Sequence, residues 1–374
     1  MKNCDKCTYE GCCGLDKKIM QTNSYIEELF YRKCMEKNVR NKLLLEWIDS
    51  KTIYMSYTDF TKSDMGNYSR HDATHSIAIL NAIESVLGKE KINELNATDL
   101  WMLLHCAYGH DFGMPYSYTE LLEFWKELEN PDSEFSKFYR DTITSEDPDL
   151  KKAATFIRKL QNILQSDKKE SFSEKIDTTW AARVYRYVSY ITAEFVRKNH
   201  ARRSMEAMEK CGILKENGAS KIDPRLYKII GKCFYMHSVD DRKEIFELPP
   251  EESDVESGHC HPRFIAYMLR LGDLLDLSSE RFDALSLLHY GKLPEMSELH
   301  KKKHESIEHV RYSDKTIEIV ARSDDERVCN ITNDWFVWIK EEVNFLISHW
   351  SKIASESIGG CTLSEPDTKV FLND

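Results

Sequence analysis

Apolar residues recur at intervals of three and four along most of the chain, a spacing typical of amphipathic helices. Asn23 or Ser24 is a suitable N-cap for the first of these helices. The pattern predicts helices over residues 23–50, 73–87, 97–109, 151–165, 179–199, 225–237, 263–277 and 333–350. The chain is therefore predicted to be mainly α-helical.

Three segments depart from the helical spacing. Residues 308–331 alternate between apolar and polar positions, which predicts a small β-hairpin or meander near the C-terminal end. Residues 128–150 are acidic and contain two prolines, which predicts an irregular connection or lid. Residues 247–262 contain two adjacent prolines and several acidic residues and are predicted to form a loop, so His259 and His261 are expected to be solvent-exposed.

These patterns divide the chain into four parts. A cysteine-rich leader covers residues 1–22, a helical domain residues 23–290, a small α+β extension residues 291–350, and a tail or linker residues 351–374. The last residues form no predicted terminal helix, which is consistent with a further domain beyond residue 374. No internal repeat interrupts this order.

Composition and charge narrow the class of protein. The chain has 14 Gly and 9 Pro in 374 residues, few turn-formers for its length, which favours helices. Its formal net charge of −11 gives no support to a broad grip on a nucleic-acid backbone. No apolar run reaches the length of a membrane span, and the N-terminus lacks the apolar region of a secretory signal. The chain is therefore expected to be soluble and cytoplasmic.

The leader contains four of the chain's 11 cysteines, Cys4, Cys7, Cys12 and Cys13. Two thiolates separated by two residues can bind one zinc ion, and the later pair would complete four ligands. Adjacent cysteines are awkward partners for one ion, however, and the spacing matches no usual zinc module. The pattern favours a reduced, loosely ordered leader, with a structural zinc site as the alternative.

Histidines and aspartates recur at the ends of predicted helices, where several side chains can turn toward one point. These candidates for chemistry are His71, His75, His110, Asp111, His200, His237 and Asp273. His71 and His75 are four residues apart and share one helical face. Asp273 lies within an apolar stretch, and a buried carboxylate is costly unless a neighbouring group neutralises it.

Each candidate has a simpler structural explanation. A single histidine on an apolar helix is usually a core residue, and His105 is interpreted as a core residue or as a support for the site. Arg270, three residues before Asp273, is a candidate partner for that carboxylate. Asp276 is an alternative buried acid in the same stretch. The basic segment around His200 forms either a solvated face or a phosphate-binding group.

Taken together, the order of these residues resembles that of the HD superfamily of metal-dependent phosphohydrolases. The segments HDFG (110–113), THSIAILNAI and RLGDLLDLSSERFD look like the family's His-Asp motif, its first-histidine helix and its final-aspartate helix. The resemblance covers about residues 60–285. The pair His71/His75 and the segment AEFVRKNHARRS are more narrowly similar to bacterial HD domains fused to GHKL-type, chaperone-like ATPases.

The resemblance implies an HD-domain helical bundle with a metal site. By position, His75, His110, Asp111 and Asp273 would hold a first metal ion, and His200 and His237 a second, with Asp111 bridging. Imidazole and carboxylate ligands suit Mn, Fe, Co, Ni or Zn, with Mg less favoured in so His-rich a site. One or two divalent ions are therefore expected.

Further roles are implied by the same resemblance. The expected catalytic residues are Asp111, His71 and His200, and the arginines expected to hold phosphate oxygens are Arg197, Arg203, Arg270 and Arg281. HD-GYP phosphodiesterases have a lysine where this chain has Met114, which weakens an assignment to cyclic-di-GMP hydrolysis.

The function expected from these residues is hydrolysis of a nucleotide or another phosphoester. The alternatives are a catalytically silent, nucleotide-sensing module of a larger protein and an HD-type nuclease. The expected ligand is a phosphorylated small molecule, whereas nucleic acid and membrane are not expected. An ATPase domain, fused or separate, is a candidate partner, and an oligomer is compatible with the sequence.

Overall fold

A computed structural model describes residues 24–36, 42–64, 72–165, 179–210, 222–256, 258–282 and 293–373. These residues are mainly α-helical, as the apolar spacing predicts. The α-helices are α1 Tyr25–Glu36, α2 Lys42–Asp64, α3 Ala73–Glu94, α4 Ala97–Gly109, α5 Tyr118–Lys126, α6 Glu134–Thr142, α7 Pro148–Gln165, α8 Trp180–Lys210, α9 Pro224–Met236, α10 Pro262–Leu274, α11 Glu295–Glu305 and α12 Glu326–Ile353. Short 3₁₀ turns cover Glu127–Glu129, Arg242–Glu247, Ser279–Arg281 and Glu356–Ile358. None of the described helices is long and apolar enough to cross a membrane.

Two small sheets accompany the helices. Strands β1 (Glu252–Val255) and β2 (Gly258–Cys260) pair antiparallel. Strand β3 (Ile307–Tyr312) pairs antiparallel with β4 (Ile317–Ser323), which confirms the predicted hairpin. Strand β5 (Asp367–Leu372), within the segment assigned to a tail or linker, pairs parallel with β4.

Helix α4 lies at the centre of the bundle. Its residues from Thr98 to Gly109 are all buried, and a helix that is apolar on every side has to be covered on every side. Helices α1, α2, α3, α9 and α10 provide that cover. Asn96 begins α4 with a capping box, its side chain accepting from the backbone N–H of Asp99 while Asp99 accepts in return from Asn96. The C-terminal end of this buried helix carries His110.

The structure corrects two predicted irregular segments. Residues 128–150 include α6, which begins at an N-cap formed by Ser133 and buries Phe135 and Tyr139 on one face. A nine-residue helix bounded by acidic residues and prolines offers too few turns for its apolar spacing to stand out. Residues 247–262 include the β1–β2 hairpin, and His261 beside it is buried with its Nδ1 2.9 Å from Asp99 Oδ2. The solvent-exposed position expected for His261 is wrong.

Candidate metal centre

Six of the candidate ligands meet in one cluster between helix ends. His75 lies in the first turn of α3, His200 in α8 and Asp273 in the last turn of α10, while His110 and Asp111 follow α4 and His237 follows α9. The N-cap at Asp72, whose side chain accepts from the Thr74 N–H at 2.9 Å, fixes where α3 begins and hence where His75 points. His71 lies outside the described residues.

The first part of the cluster surrounds one oxygen of Asp111. His110 Nε2 lies 3.0 Å from Asp111 Oδ2, and His75 Nε2 lies 3.6 Å from the same oxygen. Asp273 Oδ1 lies 3.2 Å from His75 Nε2 and 4.0 Å from His110 Nε2. Two imidazole nitrogens and two carboxylates therefore face one point.

The second part of the cluster faces the other oxygen of Asp111. His200 Nε2 lies 3.4 Å from Asp111 Oδ1 and 2.9 Å from His237 Nε2. Asp111 thus separates two groups of ligand atoms with its two oxygens, and its side chain is itself buried.

The outer nitrogen of each ring contacts a hydrogen-bond acceptor. The pairs are His75 Nδ1 with Asp276 Oδ2 at 2.6 Å, His110 Nδ1 with Cys106 O at 3.2 Å, His200 Nδ1 with Arg197 O at 2.7 Å, and His237 Nδ1 with Phe234 O. A neutral imidazole that donates from Nδ1 presents a lone pair at Nε2. The Nε2 atoms of His75, His110 and His200 lie within 3.6 Å of an Asp111 oxygen, and that of His237 lies 2.9 Å from His200 Nε2.

This arrangement fits a bound cation. When the ring protons of His200 and His237 are both at Nδ1, neither Nε2 can donate a hydrogen bond to the other. Within the described residues, His110 Nε2 also makes no hydrogen bond. Two ligand atoms at right angles, each about 2.1 Å from one ion, lie about 3.0 Å apart. The separations of 2.9 to 3.6 Å between the neighbouring atoms are of this size. Such imidazole and carboxylate groups suit a divalent transition metal.

Comparison with known proteins agrees with this geometry. The HD-CE family model matches residues 65–344, most of the chain. The chain belongs to the HD-CE family. It matches no curated protein and no solved structure. The HD-type domain inferred from the order of the ligands is thereby confirmed, and an HD-type domain suggests a metal-dependent hydrolase.

Charge within the HD-CE site favours a neutral His237, an ionised Asp273 and a proton on His75. Burial and the neighbouring His110 and His200 lower the pKa of His237 to about 3, so its ring is neutral. Burial would raise the pKa of Asp273, but the hydrogen bond from His75 and the nearby histidines keep it below its usual value. Burial and Arg281 oppose protonation of His75, yet its bonds to Asp273 and Asp276 raise its pKa to about 9. A metal ion at this position would replace that proton.

Asp273 and Asp276 have different positions at the site, one facing the ligand cluster and the other behind His75. The side chain of Asp276 is 2% exposed and holds His75 from behind, whereas that of Asp273 is 30% exposed and faces the ligand cluster. A carboxylate behind a ligating histidine orients the ring and makes it a better ligand. This supporting role for Asp276 is a feature that sequence reasoning missed, although three-residue spacing after Asp273 places both acids at one helix end.

Two of the four predicted phosphate-binding arginines have structural partners instead. Arg270 is buried and donates to Glu342 Oε1 at 2.7 Å and to the Val239 carbonyl, so it is neither the partner of Asp273 nor directed at the ligand cluster. Arg203 donates to the carbonyls of Gly113 and Pro115 at 2.8 and 3.0 Å. Because these donors already contact backbone and carboxylate acceptors, each guanidinium has less capacity for a substrate phosphate.

The other two arginines lie closer to the centre. Arg281 Nε is 3.4 Å from Asp276 Oδ2, the carboxylate that holds His75. Arg197 accepts from His200 through its carbonyl and pairs its guanidinium with Glu194 at 2.9 Å. His105, by contrast, contacts Glu46 and Tyr54 in a buried network of α2 and α4, which makes it a core residue.

Gly113 lets the His-Asp turn approach α8. A Cβ at Gly113 would lie 2.3 Å from His200 O and 2.6 Å from Ser204 N, distances that side chains do not adopt. The Gly113 N–H donates to Ser204 Oγ at 2.7 Å and thereby joins the two segments. The glycine of the HDFG motif is thus what allows Asp111 to reach His200.

We expect Gly113→Ala to push the turn away from α8. The variant should lose about 1–3 kcal/mol of unfolding free energy, the usual cost of overpacking, and should bind less metal at His200 and His237. Denaturation and elemental analysis measure the two effects. Gly360→Ala is the matched control, because a Cβ there meets nothing within 4 Å. Equal stability and equal metal content in the two variants would show that the close approach is unimportant.

Proposed function

We propose that this HD-CE protein is a metal-dependent phosphohydrolase that acts on a nucleotide or another phosphoester. The observation that carries the proposal is a cluster of four Nε2 atoms, three of them within 3.6 Å of an Asp111 oxygen and the fourth, of His237, 2.9 Å from His200 Nε2. We assign one divalent ion to His75, His110, Asp273 and Asp111 Oδ2, and a second to His200, His237 and Asp111 Oδ1. Histidines that serve only to pack the core do not need an acceptor at Nδ1 of every ring, as is found here.

The chain's own residues prepare the site for a phosphoester. A bound divalent ion supplies Lewis acidity and a water molecule of lowered pKa. The Nδ1 contacts hold each imidazole in place, and Asp276 holds His75, so little reorganisation is needed when substrate binds. Asp273 and His200 are the more exposed members of the cluster, and we propose that substrate enters on their side.

Positive charge lies on that side as well. Arg197 and Arg281 line a cavity of about 350 Å³ between α8 and α11. We propose that these two arginines bind oxygens of the phosphoester, since guanidinium groups bind phosphate through paired N–H donors. Arg203 and Arg270 are left out of this assignment because their guanidinium groups already contact backbone or carboxylate acceptors.

An ATPase partner belongs to the same proposal. It is supported by the similarity of the segment AEFVRKNHARRS to HD domains fused to GHKL-type ATPases. In such an arrangement, the phosphoester bound at the metal centre would be the signal or the product that the ATPase responds to.

Elemental analysis of the purified chain, followed by a substrate screen, tests the proposed function. About two ions of Mn, Fe, Co, Ni or Zn per chain and turnover of nucleotides or p-nitrophenyl phosphate are expected. Metal with nucleotide binding but without turnover would identify a sensing module instead. Cleavage confined to single-stranded DNA or RNA would identify a nuclease. A chain that stays free of metal after reconstitution would contradict the proposal entirely.

A further inference from the structure

The cavity next to the metal centre is lined by more basic groups than a single phosphoester needs. Helix α8 contributes Arg197 and Lys198, the turn after α10 contributes Arg281, and α11 contributes His300, Lys303 and His304. Its volume of about 350 Å³ is within the range of small-molecule sites.

The two acidic residues that line the cavity, Asp147 and Glu194, are engaged with other partners. Asp147 accepts from the Tyr190 hydroxyl at 2.8 Å and from the backbone N–H groups of Asp149 and Leu150 at the start of α7. Glu194 pairs with Arg197 at 2.9 Å. Both carboxylates are therefore engaged by these partners.

Lys303 has no acidic partner among the described residues. Its Nζ lies 3.5 Å from the centre of the Trp335 ring, a cation–π contact, and it makes no hydrogen bond or ion pair there. Burial and the nearby Arg281 lower the pKa of Lys303 to about 7. Arg281 has the Asp276 carboxylate at 3.4 Å, whereas Lys303 faces the same cavity with no carboxylate partner among the described residues. A bound anion would relieve both the burial of Lys303 and its repulsion from Arg281.

His304 is a further buried group on the cavity wall without a full set of hydrogen-bond partners. It is 4% exposed, lies beside Lys303 on the cavity wall, and its Nδ1 makes no hydrogen bond within the described residues. A buried polar atom without a partner is uncommon in a native protein. Arg281 Nε is buried without a hydrogen bond in the same region.

The cavity is connected to the metal centre through two of its lining residues, Arg281 and Arg197. Arg281 Nε lies 3.4 Å from Asp276 Oδ2, and that oxygen lies 2.6 Å from His75 Nδ1. On the opposite wall, the Arg197 carbonyl accepts from His200 Nδ1 at 2.7 Å. An anion in the cavity would thus be one residue away from the ligands on both sides.

We propose that this cavity is a subsite for a second phosphate group, bound by Lys303 and Arg281, and that the substrate carries at least two phosphate groups. The inference rests on the proposed function, because it takes the first phosphate group to lie at the metal centre. Nucleoside polyphosphates and bisphosphates both have this chemistry.

The test compares pyrophosphate with inorganic phosphate on the full purified chain, by calorimetric titration. The wild type is expected to prefer pyrophosphate, and Lys303→Met is expected to lower that preference at least tenfold. Lys302→Met is the matched control. Lys302 Nζ lies 3.8 Å from Asp325 Oδ2, and the residue does not line the cavity. Lys303→Arg should keep the preference, and Lys303→Met should melt no earlier than the wild type, since it removes an unneutralised charge.

The results test the second phosphate subsite independently of the proposed hydrolase activity. No preference in the wild type, or an unchanged preference in Lys303→Met, overturns the subsite even if the protein hydrolyses phosphoesters. Loss of the preference in Lys303→Met, with the metal content of the wild type, supports the subsite even if no turnover is found. An equal loss in Lys302→Met would indicate a general effect of surface charge and would also overturn it.

Discussion

Asp111→Ala is expected to remove the bound metal and to lower hydrolysis at least a thousandfold. Among the described residues, it is Asp111 that offers an oxygen to each group of histidines, Oδ2 at 3.0 Å from His110 Nε2 and Oδ1 at 3.4 Å from His200 Nε2. Without it, four neutral imidazoles and Asp273 would carry too little negative charge to balance two divalent ions. A thousandfold loss corresponds to about 4 kcal/mol of activation free energy, in line with the several kcal/mol that metal ions contribute.

The measurement is metal content per chain together with kcat/KM for a substrate found in the screen. Asp324→Ala removes an exposed aspartate and should match the wild type in both. Asp111→Asn keeps the volume of the side chain and shows whether lost metal follows from lost charge or from a cavity. Retention of two ions by Asp111→Ala, or retention of its activity, would contradict the role assigned to Asp111.

The ligands of the centre could be predicted from the sequence because they lie at helix ends with local signals. His110 and Asp111 follow an unusually apolar helix and precede Gly113, and Asp273 is an acid inside an apolar stretch. These signals depend on neighbours within one or two helical turns. They therefore do not depend on how distant parts of the chain pack.

Long-range partners could not be predicted in this way. His75 and Asp276 are 201 residues apart, and Asp99 and His261 are 162 residues apart. Neither pair has a periodicity that connects its members, so Asp276 remained one of two candidate acids and His261 was assigned to an exposed loop. The fold decides such pairs through the packing of whole helices.

The basic cavity shows the same limit at the level of a whole site. One wall of the cavity comes from α11, which lies in the segment 291–350. The sequence pattern assigns that segment to an extension separate from the helical domain. On its own, HKKKHE is the exposed, charged end of a short helix. Lys303 and His304 reach the cavity beside the metal centre because α11 packs against α12 and the turn at Arg281.

Arg270 was expected to bind substrate, and its position in the fold leads to a different prediction. Its guanidinium and Glu342 form an ion pair at 2.7 Å with side-chain exposures of 4% and 0%. Tyr267 also donates to Glu342, at 3.0 Å, and Arg270 donates to the Val239 carbonyl at 2.6 Å. The pair thereby joins α10, which carries Asp273, to α12.

Arg270→Met is therefore expected to destabilise the fold by about 3–5 kcal/mol, because it leaves the Glu342 carboxylate buried without its closest cation. The midpoint of urea denaturation measures the loss. Arg242→Met is the matched control: Arg242 lies 3.5 Å from the same carboxylate but is partly exposed, so its loss should cost about 1 kcal/mol or less. The double variant Arg270→Met/Glu342→Leu should recover much of the stability, since it removes the unpaired charge as well. Unchanged stability in Arg270→Met together with a raised KM would instead return Arg270 to the substrate site.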